Sequence, residues 1–150
     1  MDKDIILGEW NLTEFSYSGI NSVKDGDETA SVSYSAEAKD LNAQVVFQDA
    51  GKYTTAGSYT LTLTTTVDGE TSAQDFPYPD ITGSGTYRIE GNKMITTPNA
   101  GDELIIQASE GIIEELTPNR MVLVIEERSV TKIDEMEVEI NFDMIQVLTR

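Results

Sequence analysis

Twenty-seven carboxylates, ten cations and not one histidine or cysteine define the chemistry open to this chain of 150 residues. Without imidazole or thiolate there is no Ser-His-Asp relay, no cysteine nucleophile and no zinc site built on nitrogen or sulfur. Carboxylate, hydroxyl and lysine chemistry remain. Two acids could hydrolyse a glycosidic bond if they stood roughly 5 to 10 Å apart across a cleft, and Glu114 with Glu115, or Glu137 with Glu139, are the pairs on offer. Neighbours in a strand point to opposite faces, however, and Glu137 and Glu139 fall on the wet side of a two-residue alternation. They read as solubilising charge. Asp25-Gly26-Asp27-Glu28 and Asp102-Glu103 gather oxygen ligands in loops, but neither has the ordered acidic positions, glycine and closing glutamate of an EF-hand. Gly83-Ser84-Gly85 lacks the lysine and the strand-to-helix setting of a phosphate loop, and reads as a flexible strand entry. The chain is therefore expected to be non-catalytic, with no metal ligand and no cofactor.

The formal charge of −17 repels phosphate backbones and anionic lipid heads, so neither nucleic acid nor a membrane surface is an expected partner. No apolar run approaches the roughly 18 residues of a transmembrane helix. Lack of cysteine fits an oxidising or a reducing compartment alike.

The elements that must position any site are strands. Met136, Val138, Ile140, Phe142 and Met144 alternate with Glu137, Glu139, Asn141 and Asp143, giving one dry and one wet face. From Ser58 to Val67, Tyr59, Leu61, Leu63, Thr65 and Val67 oppose Thr60, Thr62, Thr64 and Thr66. Ala43, Val45 and Phe47 alternate with polar neighbours, as do Tyr87 and Ile89. Met121 to Ile125 is a continuous apolar run, the mark of a strand covered on both faces. Asp49-Ala50-Gly51-Lys52, Asp68-Gly69, Gly91-Asn92, Ala100-Gly101-Asp102, Glu110-Gly111 and Pro118-Asn119 supply turn chemistry between such runs. Gly19 to Glu28 and Asp75 to Ser84 read as loops, and a short helix is conceivable at Ala36 to Asp40. Eight to ten antiparallel strands result.

Trp10, the one tryptophan, follows Gly8 at the head of a run in which Trp10, Leu12 and Glu14 face one way and Thr13, Phe15 and Tyr17 the other. A large ring beside a small glycine suits a plug at the end of a core. Gly8-x-Trp10, Phe47-x-x-x-Gly51-x-Tyr53 and Gly85-Thr86-Tyr87-x-Ile89-x-Gly91-Asn92, in that order along nearly the whole chain, resemble the lipocalin-like domains of secreted and lipid-anchored bacterial proteins. The resemblance implies a single domain over residues 1–150, an all-β, antiparallel up-and-down barrel of about eight strands. In such a barrel Gly8 and Trp10 seal one end, and Arg128 or Arg150 is the candidate to stack on the indole. It also implies a location outside the cytoplasm, with a lipid tether on residues not in this chain.

In that barrel the inward residues Phe47, Tyr59, Leu61, Leu63, Tyr87, Leu123, Ile125 and Phe142 are the expected lining for a small hydrophobic ligand, alongside Ala43, Val45, Ile89 and Ile140. The competing expectation is a β-sandwich or filled barrel that docks on another polypeptide, the Thr60–Thr66 ridge being its flat uncharged face.

Overall fold

The computed structural model describes residues 3–99 and 109–150. A short 3-10 turn, Lys3–Ile6, precedes eight strands: β1 (Gly8–Asp25), β2 (Glu28–Gln48), β3 (Lys52–Val67), β4 (Glu70–Glu90), β5 (Lys93–Pro98), β6 (Ser109–Leu116), β7 (Arg120–Ile133) and β8 (Met136–Thr149). Each pairs antiparallel with the next and β8 returns to β1, so the sheet closes into an up-and-down barrel. Closure replaces the sandwich alternative: one continuous ladder, not two stacked layers.

Several stretches with loop composition are strand. Gly19–Asp25 extends β1, pairing with β2 and β8 at once, and Ala36 lies buried on β2 instead of starting a helix. The Asp75–Ser84 stretch belongs to β4 despite Pro77 and Pro79. Proline is tolerated there because this length of β4 has β3 as its one described partner, and a missing donor matters little where no described strand pairs on the other side. Glu110-Gly111 lies inside β6. The Ala100-Gly101-Asp102 turn and Asp102-Glu103 fall outside the described residues. Elsewhere the turn chemistry sits where it was expected: Asp49–Gly51 joins β2 to β3, Asp68-Gly69 joins β3 to β4, and Gly91-Asn92 joins β4 to β5.

A belt of register shifts crosses four strands at one level. β1 slips between Leu12 and Glu14, β2 near Asp40, β3 between Gly57 and Tyr59, and β4 opposite it. Gly57, at φ 136°, is needed here, since a Cβ would stand 2.1 Å from the Asn42 carbonyl oxygen. Bulges bend strands and reverse their alternation. Trp10 and Leu12 therefore face inward below the belt, and Phe15 and Tyr17, expected opposite them, face inward above it.

The core follows this division. The lower cluster centres on Ile6, Trp10, Phe47, Met121, Leu123 and Leu148, and the upper one on Phe15, Ala36, Tyr59, Leu61 and Met144. Met121, Val122 and Leu123 are all buried, so β7 is covered on both faces at this height, as its unbroken apolar run demands.

Candidate functional site

At the lower end the polypeptide folds over the barrel. Trp10 and Ile6 are wholly inaccessible, and the indole Nε1 donates to the Ile6 carbonyl at 2.8 Å. Arg150 lies across the ring, its guanidinium carbon 4.0 Å from the centroid. Its Nη1 donates to the Leu7 carbonyl at 2.7 Å, its Nε to that of Pro118 at 2.8 Å, and its Nη2 to that of Ile5. Arg150 thus ties together the N-terminal turn, the β6–β7 turn and the end of β8. Gly8, at φ 113°, has no room for a side chain without crowding Arg150, 3.1 Å from where its Cβ would be. Arg128, the other candidate for the indole, instead binds Asp143 at 2.9 Å on the outer face.

Above this floor lie two interior cavities of about 90 Å³ each. Phe47, Tyr53, Met94, Leu123 and Ile125 line the first; Leu12, Phe15, Ala43, Tyr59 and Ile81 line the second. Val45, Thr55 and Gln146 line both. Among the described residues, one buried side-chain polar atom lacks a partner, and it is the Thr55 hydroxyl. Gln146 turns its amide toward the Met144 thioether at 3.8 Å, a weak acceptor. Two polar groups with hydrogen-bonding capacity to spare therefore stand where the two mostly apolar cavities meet.

The expected lining residues separate by height. Phe47, Leu123 and Ile125 meet in the first cavity and Tyr59 stands in the second. Leu61, Leu63 and Phe142 pack in the upper apolar cluster and line neither. Tyr87 lies edge-on to Phe47, centroids 5.0 Å apart, and donates to the Gln48 carbonyl at 3.3 Å, toward the closed end. Thr55 and Gln146, which line both cavities, are not among the residues expected from alternation. Gln146 had a signal: it is the polar interruption in the dry alternation running from Phe142 through Met144 to Leu148.

Aromatic rings stack from the wall of the second cavity upward. Phe15 stacks on Tyr59 at 5.9 Å, Tyr59 touches Tyr78 at 5.3 Å, and Tyr17 touches Phe142 at 5.6 Å and Tyr34 at 6.2 Å. Burial pushes the Tyr59 hydroxyl up to about 12, with Tyr78 and Tyr17 adding to it. Burial also raises Tyr17, with Tyr78 and Tyr34 contributing, and raises Tyr34, with Glu127 contributing. These phenols are neutral at physiological pH and can only donate or accept hydrogen bonds.

A larger hollow, about 630 Å³, lies on the outer face, where Ser16, Ser18, Ser35, Glu37, Thr62 and Asp143 line it. It is an open saddle in which the Thr62 hydroxyl donates to Asp75 at 2.8 Å; farther along the same strand Thr66 bonds to Thr71 at 2.9 Å. The threonine ridge belongs to this surface. Among the described residues no three acidic side chains gather closely enough to hold a metal ion.

Closed antiparallel topology, an indole on the floor and an apolar interior agree with a sequence match: residues 6–123 fit the profile of the lipocalin-like domain. The chain belongs to the lipocalin-like domain family. No curated protein matches it. Among solved structures it is similar to Ail, the attachment invasion locus protein of Yersinia pestis, at 10% identity over 95% of this chain and 98% of that one, with a TM-score of 0.23. That likeness is too slight to bear on fold or function. The family match ends within β7, and β8, beyond it, supplies the pairing to β1 that closes this lipocalin-like barrel.

Proposed function

We propose that this lipocalin-like domain is a non-catalytic binding module that encloses one compact, neutral, mostly apolar molecule in the lower half of its barrel. The observation that carries the reading is the pair of apolar cavities sharing the unpartnered Thr55 hydroxyl. Each cavity is well short of the roughly 300 to 1,000 Å³ of a drug-sized pocket, so most of the barrel is filled core. A fatty acid or retinoid would have to displace side chains. A small alcohol, ketone or ring compound would bury its hydrocarbon against Phe47, Tyr59, Leu123 and Ile125, gaining roughly 25 cal/mol per Å² of apolar surface, and meet Thr55 or Gln146 with its one polar atom. In this reading Gly8 and Trp10 are the plug, and Leu61, Leu63, Tyr87 and Phe142 support the wall.

The polarity of the two faces argues against insertion in a bilayer. Spanning barrels turn an apolar band outward, whereas Ser18, Ser35, Glu37, Thr64, Glu126 and Asp143 look outward here. Family membership supports a place outside the cytoplasm.

Thermal unfolding with a panel tests the reading. Cyclohexanol and benzyl alcohol are expected to raise the midpoint in a concentration-dependent way, and palmitate to do little. Stabilisation by palmitate alone would overturn the size argument, and no response to any probe would overturn the binding reading.

A docking reading has its own observation. Ile20, Val23, Val67, Val130, Ile133 and Met136, the exposed large apolar residues among those described, all lie toward the hairpin tips at the open end.

A further inference from the structure

We propose, resting on the binding reading above, that Gly111 sets the size and kind of molecule the barrel takes: its missing side chain leaves a slot in the first cavity for the ring of an aromatic alcohol. Gly111 is buried inside β6 and pairs with Met94, a residue of the lower core cluster. It lines the first cavity, and Ile125 Cγ1 is the described atom nearest to where its Cβ would stand, so the position faces the interior.

The backbone does not call for glycine here. Gly51 and Gly57 have positive φ, and a Cβ would collide with the Thr97 carbonyl oxygen at Gly85 and with that of Asn141 at Gly19. Gly111 has neither constraint. Its φ is not positive, and the Ile125 Cγ1 at 3.5 Å, the Val124 carbonyl oxygen at 3.7 Å and that of Met94 at 4.0 Å are ordinary contacts for a methyl group. Alanine would fit and would strengthen the strand, because glycine in a strand interior forfeits packing and conformational entropy. What glycine gives at this position is room, and a strand glycine with no backbone need marks a place where another group comes close to the main chain.

The walls narrow the class of ligand. Phe47, Tyr53 and Met94 line the same cavity, and the Val124 and Met94 carbonyl oxygens flank the slot. An aromatic ring turns a positive edge to such oxygens and suits neighbouring rings and a thioether; a saturated ring does neither. The polar end belongs where the two cavities meet. There the Thr55 hydroxyl has no partner, and the Gln146 NH2 faces the Met144 thioether, which accepts and cannot donate, leaving the amide carbonyl without a described donor. A hydroxyl can accept from Thr55 and donate to Gln146; a ketone cannot. An apolar cavity of roughly 150 Å³ takes up benzene, whereas the first cavity has about 90 Å³. The ring must therefore use the Gly111 slot fully and lean its hydroxyl end into the second cavity. A methyl group at position 111 removes room that such a ring cannot spare.

Gly111→Ala tests this. Without ligand, G111A is expected to melt about 1–4 °C above the native protein. In calorimetric titration it should bind benzyl alcohol roughly tenfold or more weakly than the native protein does, and G111A/I125V, which returns a methyl group's worth of space, should recover most of the affinity. The native protein should bind benzyl alcohol severalfold more tightly than cyclohexylmethanol, its saturated counterpart. Circular dichroism checks that each variant is folded. A lower melting temperature for G111A would show the glycine serving the fold and overturn the proposal. Equal affinity of the native protein and G111A, a loss that I125V does not relieve, or cyclohexylmethanol bound as tightly as benzyl alcohol would each overturn it while leaving the binding reading in place. Failure of the native protein to bind either alcohol would overturn that reading and the proposal together.

Discussion

Replacing Thr55 by valine exchanges a buried hydroxyl for a methyl group of the same shape. In most buried sites that change removes a hydrogen bond and destabilises. Here the Thr55 Oγ1 is enclosed without a protein partner, so the folded state bears the desolvation of an unsatisfied hydroxyl, on the order of 1–3 kcal/mol. Thr55→Val is therefore expected to stabilise the ligand-free protein by about 1–2 kcal/mol, raising its melting temperature by about 2–8 °C for a chain of this size. Chemical and thermal unfolding measure it, with Thr54→Val, an exposed change on the same strand, as the baseline for β-propensity. Cyclohexanol should narrow the gap, because it offers a hydrogen bond to the threonine hydroxyl and none to valine. A loss of 1 kcal/mol or more on Thr55→Val, relative to that baseline, would refute the reasoning, since the hydroxyl would then be well satisfied in the folded protein.

Arg150→Ala should cost about 2 kcal/mol, because the side chain stacks on Trp10 and bonds to three carbonyls; Arg150→Lys should recover only part of that in urea unfolding, as an ammonium lacks the planar fork. Trp10→Phe leaves the Ile6 carbonyl unpaired and a void beside it, an expected loss of about 2–4 kcal/mol. Tyr59, neutral up to about 12 when folded and ordinary near 10 when unfolded, contributes stability that is whole below pH 10 and falls between pH 10 and about 12; unfolding midpoints across that window should drop more steeply for the native protein than for Tyr59→Phe. Gly57→Ala combines a φ of 136° with a clash on the Asn42 carbonyl, and should destabilise by several kcal/mol, on the scale of a strained backbone plus overpacking.

Strand identity and facing were legible wherever side chains alternate without interruption: β8 and the Tyr59–Val67 length of β3 could be oriented residue by residue. The turns at Asp68-Gly69 and Gly91-Asn92 were legible because their chemistry is local. The bulge belt was not. A single inserted residue near Thr13 leaves no compositional mark, yet it turns Phe15 and Tyr17 inward, against the expected alternation. Asp75–Ser84 reads as loop in sequence because proline breaks a strand where its missing donor is needed, and on the side of β4 with no described partner it is not. In the site, apolar wall residues such as Phe47 and Leu123 could be picked from periodicity. Thr55 could not: nothing local distinguishes it from the outward threonines of β3, and its isolation exists only after β2, β3 and β8 have closed around it.

Methyl-resolved NMR during titration with cyclohexanol tests the central claim most directly. Saturable shifts at Val45, Thr55, Leu123 and Ile125, with Ile20 and Val130 unmoved, are the result expected of a compact ligand enclosed in the lower barrel. Shifts confined to the hairpin tips, or an interior that stays silent up to saturation of the solvent with probe, would contradict it.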